Sequence, residues 1–151
     1  MTELQTQIES NYLVNQIDFT VYGNPVPQGR PRATTVAGHV TLYDPLNSRQ
    51  WKQVVQFHAS TVVSAPFPPS VALQMQLTFY LPRPKSLSRK VTEHTKRPDL
   101  DNLGKAVMDA LNKVAYHDDS QIIELHKKKV YTQGNIKPGV RIQIHKAEGK
   151  E

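Results

Sequence analysis

The residues best suited to chemistry are four aspartates and a lysine in the second half of the sequence. Asp99 and Asp101 stand two positions apart, Lys105 follows four residues later, and Asp118 and Asp119 form a doubled pair. Carboxylates at this density repel one another unless a cation holds them, and Mg²⁺ is usually bound by one or two carboxylates together with substrate phosphates. The pattern therefore predicts a metal site that acts on a phosphate-bearing substrate.

The rest of the chain is basic. Its 151 residues include 19 Lys and Arg against 13 Asp and Glu, which gives a formal charge of +6 and a pI of about 9.6. A positive field favours nucleic acid or an anionic membrane surface as a partner. Because an enzyme that acts on a polyanion needs a basic surface around its acidic metal site, the composition indicates a metal-dependent nuclease.

Composition also excludes several kinds of site. The chain has no cysteine, so it has no disulfides, thiolate zinc sites or cysteine nucleophiles. Its apolar runs are too short to span a bilayer, and residues 1–16 carry Glu3 and Glu9 but no Lys or Arg, unlike a signal peptide. We therefore expect a cytoplasmic protein without membrane contact.

The hydrophobic periodicity predicts an α/β (α+β) fold with a mixed sheet and two main helices. Residues 1–16 are expected to form a flexible tail, and residues 17–151 a single domain large enough to bury its own core. Alternating apolar residues predict strands, and apolar residues at helical spacing predict helices. The strands are expected at 17–22, 39–43, 71–81, 122–131 and 140–145, and the helices at 46–63 and from Asp99 onward.

Two predicted loops carry the positive charge that an anionic substrate requires. Residues 26–32 contain prolines at a spacing that excludes a helix, so Arg30 and Arg32 are expected on an extended or turning loop. Residues 82–98 hold six Lys and Arg against one Glu, and predict a long, basic, mobile loop leading into the acidic motif. Arg30, Arg32, Lys96 and Arg97 are expected to contact phosphates, although each also fits a solubilising surface.

The acidic residues also have a plain structural interpretation. Asp99 is suited to cap the second helix through its carboxylate. Asp101, Lys105 and Asp109 share an outward face and would form an ordinary ladder of ion pairs, and the doubled Asp would mark a turn. An ordinary helix terminus, however, does not also carry six cations upstream and a doubled Asp after it, so the metal site is the better account of the whole pattern.

The motif resembles that of the RusA family of Holliday junction resolvases, which are small endonucleases often encoded by phages and prophages. The resemblance rests on Arg97-Pro98-Asp99-Leu100-Asp101-Asn102-Leu103 with Lys105, followed by Asp109-Ala110-Leu111-Asn112 and by Asp118-Asp119-Ser120-Gln121-Ile122. It is specific over about residues 96–122 and extends weakly to Gly29-Arg30-Pro31-Arg32. It implies a homodimer that binds a four-way DNA junction and nicks two strands symmetrically with Mg²⁺ or Mn²⁺, in DNA recombination and repair in the bacterial host cell.

The resemblance also implies roles for single residues. Asp99, Asp101 and Asp119 match the metal-linked carboxylates of the family, and Lys105 matches the lysine that the family needs for activity. Lys105 is expected to contact the scissile phosphate. Asp118 matches the pattern as a neighbour, a supporting residue or a fourth ligand, and Asn102 either binds phosphate or favours the first helical turn. The number of metal ions stays open.

Two symmetric cuts require two active sites related by a two-fold axis, which explains a dimer. Trp51, Phe57 and the region of Phe67 are expected to supply interface area. His58, on the apolar face of the first helix, is expected in the core or the dimer interface rather than as a ligand.

Other functions stay open at this stage. One alternative is a non-catalytic, basic phage DNA-binding protein whose acidic residues are structural. Another is a broader nuclease for flaps or other branched DNA on the same scaffold. The N-terminal tail is longer than in the shortest family members, and the 82–97 loop has more residues than the family pattern leads us to expect. A phosphotransferase or glycosyltransferase use of Asp-x-Asp is disfavoured, because Lys96-Arg97-Pro98 precedes it instead of a hydrophobic strand.

Overall fold

The computed structural model describes residues 2–3, 16–43 and 45–148, so the predicted tail at 1–16 lies almost entirely outside the described residues. The strands are β1 (Gln16–Tyr22), β2 (Arg32–Val36), β3 (His39–Tyr43), β4 (Leu73–Leu81), β5 (Ile122–Tyr131) and β6 (Gly139–Lys146). The helices are α1 (Leu46–Val62) and α2 (Leu100–Leu111), and a short 3-10 turn at Asp119–Gln121 precedes β5. The described helices are too short or too polar to cross a membrane.

The main sheet is mixed, as the sequence predicts. Its strand order is β1-β6-β4-β5, with β4 parallel to β5 and antiparallel to β6. Parallel neighbours need a crossover connection, and α2 supplies it between β4 and β5. As a result, α2 starts at the end of the sheet where β4 and β5 finish, and it ends where β5 begins.

One face of this sheet and the two helices form the core. Along β4 the alternate residues Leu73, Met75, Leu77, Phe79 and Leu81 are all buried, which confirms the strongest strand pattern of the sequence. Helix α2 turns its apolar residues inward at helical spacing and packs beside α1. Lys52 of α1 lies 4.0 Å from Asp109 of α2 and links the two helices on their outer side.

The structure corrects the expected positions of some aromatic and histidine side chains. Trp51 and Phe67, which were expected to supply interface area, are buried in the core of a single chain. His58 is exposed, so of its two expected places the core is wrong and the dimer interface stays a prediction. Its ring contacts that of Phe57 edge-on. Phe57 is itself exposed. The cause is the phase of α1, because Trp51, Val55 and Ala59 fill the buried stripe and turn positions 57 and 58 to the outside.

Strands β2 and β3 form a separate two-stranded hairpin. The sequence predicts β3 but assigns Arg32 to a loop, whereas the structure begins β2 at Arg32 and pairs it with Tyr43. The chain reverses at Ala37 and Gly38, with φ angles of 52° and 80°, which is the conformation that two-residue hairpin turns require. All residues of the two strands are exposed, so no buried alternation marks β2 in the sequence.

Candidate active site

Helix α2 presents its first carboxylates at the end of the sheet where β4 and β5 finish. Asp99 occupies the N-cap position, but its side chain makes no capping hydrogen bond, so the predicted cap is wrong. Its backbone carbonyl accepts from Leu103 N (3.1 Å), which starts the helix without the side chain. The exposed carboxylate of Asp99 is therefore left available for another partner.

Asp101, in the first turn, is paired with a lysine of the sheet. Lys127 Nζ lies 2.9 Å from Asp101 Oδ1, and the Lys127 side chain is 24% exposed. This hydrogen bond and the lysine charge hold the pKa of Asp101 below its ordinary value. The lysine stem passes directly beside Gly104, where an added Cβ would lie 3.1 Å from Lys127 Cδ.

Lys105 does not take part in this contact. The plain structural interpretation of the sequence pairs Lys105 with Asp101 along the helix, but in the structure Lys127 occupies that position. Lys105 is exposed on the outward face that it shares with Asp101 and Asp109, as predicted. It is thus free to contact a bound anion.

A cleft of about 850 Å³ joins the start of α2 to the early proline-rich segment. It is lined by Pro25, Val26, Pro27, Gln28, Arg30, Arg97, Pro98, Asp99 and Asn102. Gln28 N donates to Asn102 O (2.8 Å), which ties the early segment to the first turn of α2. Arg30 and Arg97, which are 67 positions apart in sequence (97 − 30), therefore lie at one cleft with Asp99.

The early segment is fixed from behind by Ser48 of α1. Its hydroxyl accepts from Gly29 N (3.0 Å) and donates to Pro27 O (3.0 Å). Ser48 is 2% exposed, so these bonds are shielded from water. A buried side chain thus positions the residues next to Arg30.

The basic loop at 82–98 has no helix or strand, as predicted, yet it is tied down at both ends. Arg83 donates to Ser88 O (2.6 Å) and Val91 O (2.7 Å). At the other end, Lys129 Nζ donates to Lys96 O (2.6 Å) and Pro98 O (2.9 Å). Lys129 therefore fixes the backbone on both sides of Arg97, immediately before Asp99.

An aromatic stack lies under the same loop. The His94 ring stacks on Tyr131 with 4.3 Å between centroids, and the Arg83 guanidinium lies 5.4 Å from the centroid of the same ring. Burial, followed by the charge of Lys129, lowers the pKa of His94. The side chains of β5 at positions 127, 129 and 131 lie on the same face of the sheet as the buried residues of β4. The run Lys127-Lys128-Lys129 does not show in the sequence which lysines turn to that face, so the roles of Lys127 and Lys129 are not predicted.

The doubled Asp lies at the opposite end of α2. The Asp118 carboxylate accepts from Ser120 N (3.2 Å), and Gln121 Oε1 accepts from Asp118 N (3.2 Å), which together order the 3-10 turn. These bonds to Ser120 hold the pKa of Asp118 below its ordinary value.

Tyr116 marks the same end of the helix, because its hydroxyl donates to Met108 O (2.7 Å). Burial raises the pKa of Tyr116, and the charges of Asp119 and Asp109 add to the effect.

The three predicted metal ligands are therefore not brought together in one chain. Asp101 and Asp109 are separated by eight residues of helix, or about 12 Å along its axis, and Asp119 lies beyond Asp109. The described ranges contain no group of three His, Asp or Glu side chains placed to hold a metal ion. Asp99 and Asp101 alone suit Mg²⁺ held by two carboxylates and completed by substrate phosphates.

A mixed α/β domain in which one carboxylate and two arginines line the same cleft has the charge pattern that suits an enzyme acting on phosphate esters. The family model described as Endodeoxyribonuclease RusA matches residues 22–145. The chain is 38% identical over 143 residues to the "Uncharacterized protein YqaN" of Bacillus subtilis (strain 168), covering 85% of this chain and 94% of that protein. It is 31% identical over 134 residues to the "Crossover junction endodeoxyribonuclease rusA" of Lactococcus phage r1t, covering 88% and 97%.

The chain belongs to the RusA family of endodeoxyribonucleases. The family and the enzyme class predicted from the acidic motif are thereby confirmed.

Proposed function

We propose that this endonuclease resolves four-way DNA junctions by paired symmetric nicks, in recombination and repair, with Mg²⁺ or Mn²⁺ as its cofactor. The observation that carries the proposal is the cleft in which Asp99 and Asn102 lie with Arg30 and Arg97. Guanidinium groups bind phosphate oxygens in a bidentate manner, so a DNA strand seated between them brings a phosphate to the carboxylate. The name of the Lactococcus phage relative, a crossover junction endodeoxyribonuclease, supports a branched substrate.

In this proposal one chain supplies Asp99 and Asp101 as metal ligands, and DNA phosphate oxygens bind the same ion. When bound, the cation supplies a water of lowered pKa and neutralises charge on the phosphoryl oxygens. Lys105, exposed one turn beyond Asp101, contacts the scissile phosphate, and Asn102 contacts phosphate from the wall of the cleft. Arg32 and Lys96 bind the DNA on either side and carry no sequence information themselves.

A homodimer gives Asp119 its role. Since Asp119 lies at the far end of α2 from Asp101, it can join the same ion only if a second copy places that end beside the first copy's cleft. A two-fold dimer repeats the contact and forms two such sites, which suits paired cuts in a two-fold substrate. Asp118 is then a positioning residue, because its bond to Ser120 N orders the turn that carries Asp119.

The proposed setting is the cytoplasm of a bacterial cell, with the gene carried by a phage or prophage. The similarity to the Lactococcus phage protein supports this origin.

The test uses the full chain with a synthetic four-way junction, a linear duplex of the same arm sequence and a three-way fork, each with Mg²⁺ and with chelator. We expect the junction to be cut in opposite strands with Mg²⁺ only. Asp101→Asn and Asp119→Asn should keep junction binding and lose cleavage. Asp109→Asn, an exposed carboxylate on the same helix, is the matched control and should cut normally.

Two results would count against the proposal in different ways. Equal cleavage of all three substrates would leave a nuclease but remove the junction-resolving role. Cleavage that survives in Asp101→Asn would remove the assigned metal site.

A further inference from the structure

The β2–β3 hairpin is an arm that the core does not cover. The strands pair only with each other in the described sheets, and every residue from Arg32 to Tyr43 is exposed. Its aliphatic side chains are open as well, with Val40 at 70% and Leu42 at 68% exposure. Two strands alone are marginally stable in water, and clustered exposed apolar side chains mark an interaction site.

The two faces of the arm differ in chemistry. Side chains of directly paired residues share a face, so the pairs Arg32–Tyr43, Thr34–Thr41 and Val36–His39 lie together. This face is mostly polar and carries the arginine, with exposed Val36 next to the turn. The pairs Ala33–Leu42 and Thr35–Val40 form the opposite, aliphatic face. A partner that covers the arm must therefore offer anionic groups on one side and apolar surface on the other.

Charge favours nucleic acid over a protein as that partner. Residues 19–43 contain no Asp or Glu, while Arg30 and Arg32 stand at the root of the arm. Arg30 also lines the cleft that holds Arg97 and Asp99, so the arm continues the proposed DNA surface directly. A strand of five residues spans roughly 16 Å, and a two-stranded ribbon fits the major groove of DNA, about 12 Å wide.

The root of the arm is hydrogen-bonded to the core, whereas the arm itself is exposed. Ser48 holds Pro27 and Gly29 on the core side, and Gln28 N is bonded to Asn102 O in α2. The direction in which the arm leaves the core is thereby fixed relative to Asp99 and Asp101. A phosphate seated at the cleft would therefore have the arm beside it on the DNA.

We propose that the β2–β3 hairpin enters the open centre of a branched DNA, with Val40 and Leu42 packed on base faces that the branch leaves unstacked and Arg32 on the neighbouring phosphates. This inference rests on the proposed function and names the element that selects branched over linear DNA. In a linear duplex each base face is covered by its neighbour, and apolar wedges enter only by unstacking a step. At a branch point the stack is already interrupted, so the aliphatic face gains contact there at a smaller cost.

The decisive variant replaces the aliphatic face and keeps the strand. Val40→Thr combined with Leu42→Thr places β-branched threonines, which suit a strand, at both positions, and it disturbs no core packing because both residues are exposed. Ile123→Thr is the matched control, since it removes an equally exposed aliphatic side chain (66%) from β5, near the opposite end of α2. Affinities for the four-way junction and the linear duplex are measured in chelator, where no cleavage occurs.

We expect the double variant to lose about tenfold in junction affinity, because two aliphatic contacts that are buried on binding are lost. Its duplex affinity should stay within about twofold of the wild type. Ile123→Thr should match the wild type on both DNAs. A 2-aminopurine placed at the branch point should brighten on binding the wild type and stay quenched with the double variant.

Equal losses on junction and duplex, or unchanged junction affinity, would overturn the proposal. The proposal would also be overturned if light scattering showed that the double variant has a different oligomeric state from the wild type, because the aliphatic face would then bind a second copy of the chain. Cleavage of the junction by the wild-type enzyme with Mg²⁺ is scored separately. If that cleavage is absent, the proposed function fails. If cleavage is normal but the double variant binds the junction as tightly as the wild type, only the proposed role of the β2–β3 hairpin fails.

Discussion

Lys127 Nζ lies 2.9 Å from Asp101 Oδ1, so the counter-ion of a proposed metal ligand comes from strand β5 and not from the helix that carries the ligand. Gly104 makes this possible, because the lysine stem crosses α2 where that residue has no side chain. The side chain of Lys105, on the same helix as Asp101, is exposed and makes no hydrogen bond or ion pair within the described part of the chain. The two lysines therefore have separate roles. Lys127 pairs with the carboxylate of Asp101, and Lys105 faces the solvent, where DNA would bind.

Replacing Lys127 with Gln should raise the pKa of Asp101 towards the ordinary aspartate value of about 3.9. The folded pKa is depressed by Lys127, so the pair stabilises the fold at pH values above that ordinary value and loses its effect as the pH falls through the lower folded value. The measurement is an NMR titration of the Asp101 carboxyl carbon. Lys128→Gln, a neighbouring exposed lysine, is the control, and an unchanged midpoint in Lys127→Gln would contradict the pairing.

Lys129→Met should destabilise the protein by about 1–3 kcal/mol, since it removes a charged donor from the two carbonyls of Lys96 and Pro98. It should also loosen the backbone around Arg97, so that the affinity for DNA falls along with the stability. Chemical denaturation measures the first effect, and hydrogen exchange of the amides at 94–100 measures the second. If Lys128→Met produced equal changes, the loss of charge alone would be the cause.

Ser48→Ala should cost about 1–3 kcal/mol, because Gly29 N–H and Pro27 C=O lose their shared partner in a site shielded from water. Ser60→Ala is its control, as the Ser60 hydroxyl donates to Phe57 O at an exposed position of the same helix. Thermal unfolding compares the two variants. A larger loss in Ser60→Ala would show that Ser48 does not hold the root of the arm.

The sequence predicts those parts of the fold that bury an apolar face. The alternation in β4 and the helical spacing in α2 both reflect burial, and both elements are found as predicted. Strand β2 was missed because an exposed hairpin has no buried face to impose a period. Helix α1 differs from the prediction at His58, because its apolar spacing does not show which of two adjacent positions turns outward.

The sequence predicts the residue types of the candidate site, but not how far apart these residues lie in the folded chain. Local sequence brings Asp99 and Asp101 together at one helix start, and the structure adds Arg30 to them across the cleft. Asp119 follows Asp99 by only 20 positions in the sequence (119 − 99), yet the 12-residue helix α2 separates them. The tertiary contacts of Lys127 and Lys129 depend on which face of β5 packs on the helices, and this follows from strand pairing rather than from a local motif.

Two inactive variants should restore activity to each other if Asp119 serves the site of a second copy. In a mixed dimer of Asp101→Asn and Asp119→Asn, one site carries both substitutions and the other carries neither. At equal ratio about half of freely exchanging dimers are mixed, by random pairing of copies in a two-fold assembly. With a supercoiled plasmid that extrudes a four-way cruciform, each mixed dimer should nick one strand and give open circles, whereas the wild type should give linear DNA.

The control mixture combines Asp99→Asn with Asp101→Asn. Both residues lie at the same end of α2, so neither site of a mixed dimer is intact and the plasmid should stay supercoiled. Subunit exchange is verified with two different affinity tags before either mixture is scored. If Asp119 completes a partner's site, every mixed dimer of the first mixture has one intact active site. Absence of nicking in that mixture, with exchange demonstrated, would therefore show that Asp119 does not complete a partner's site.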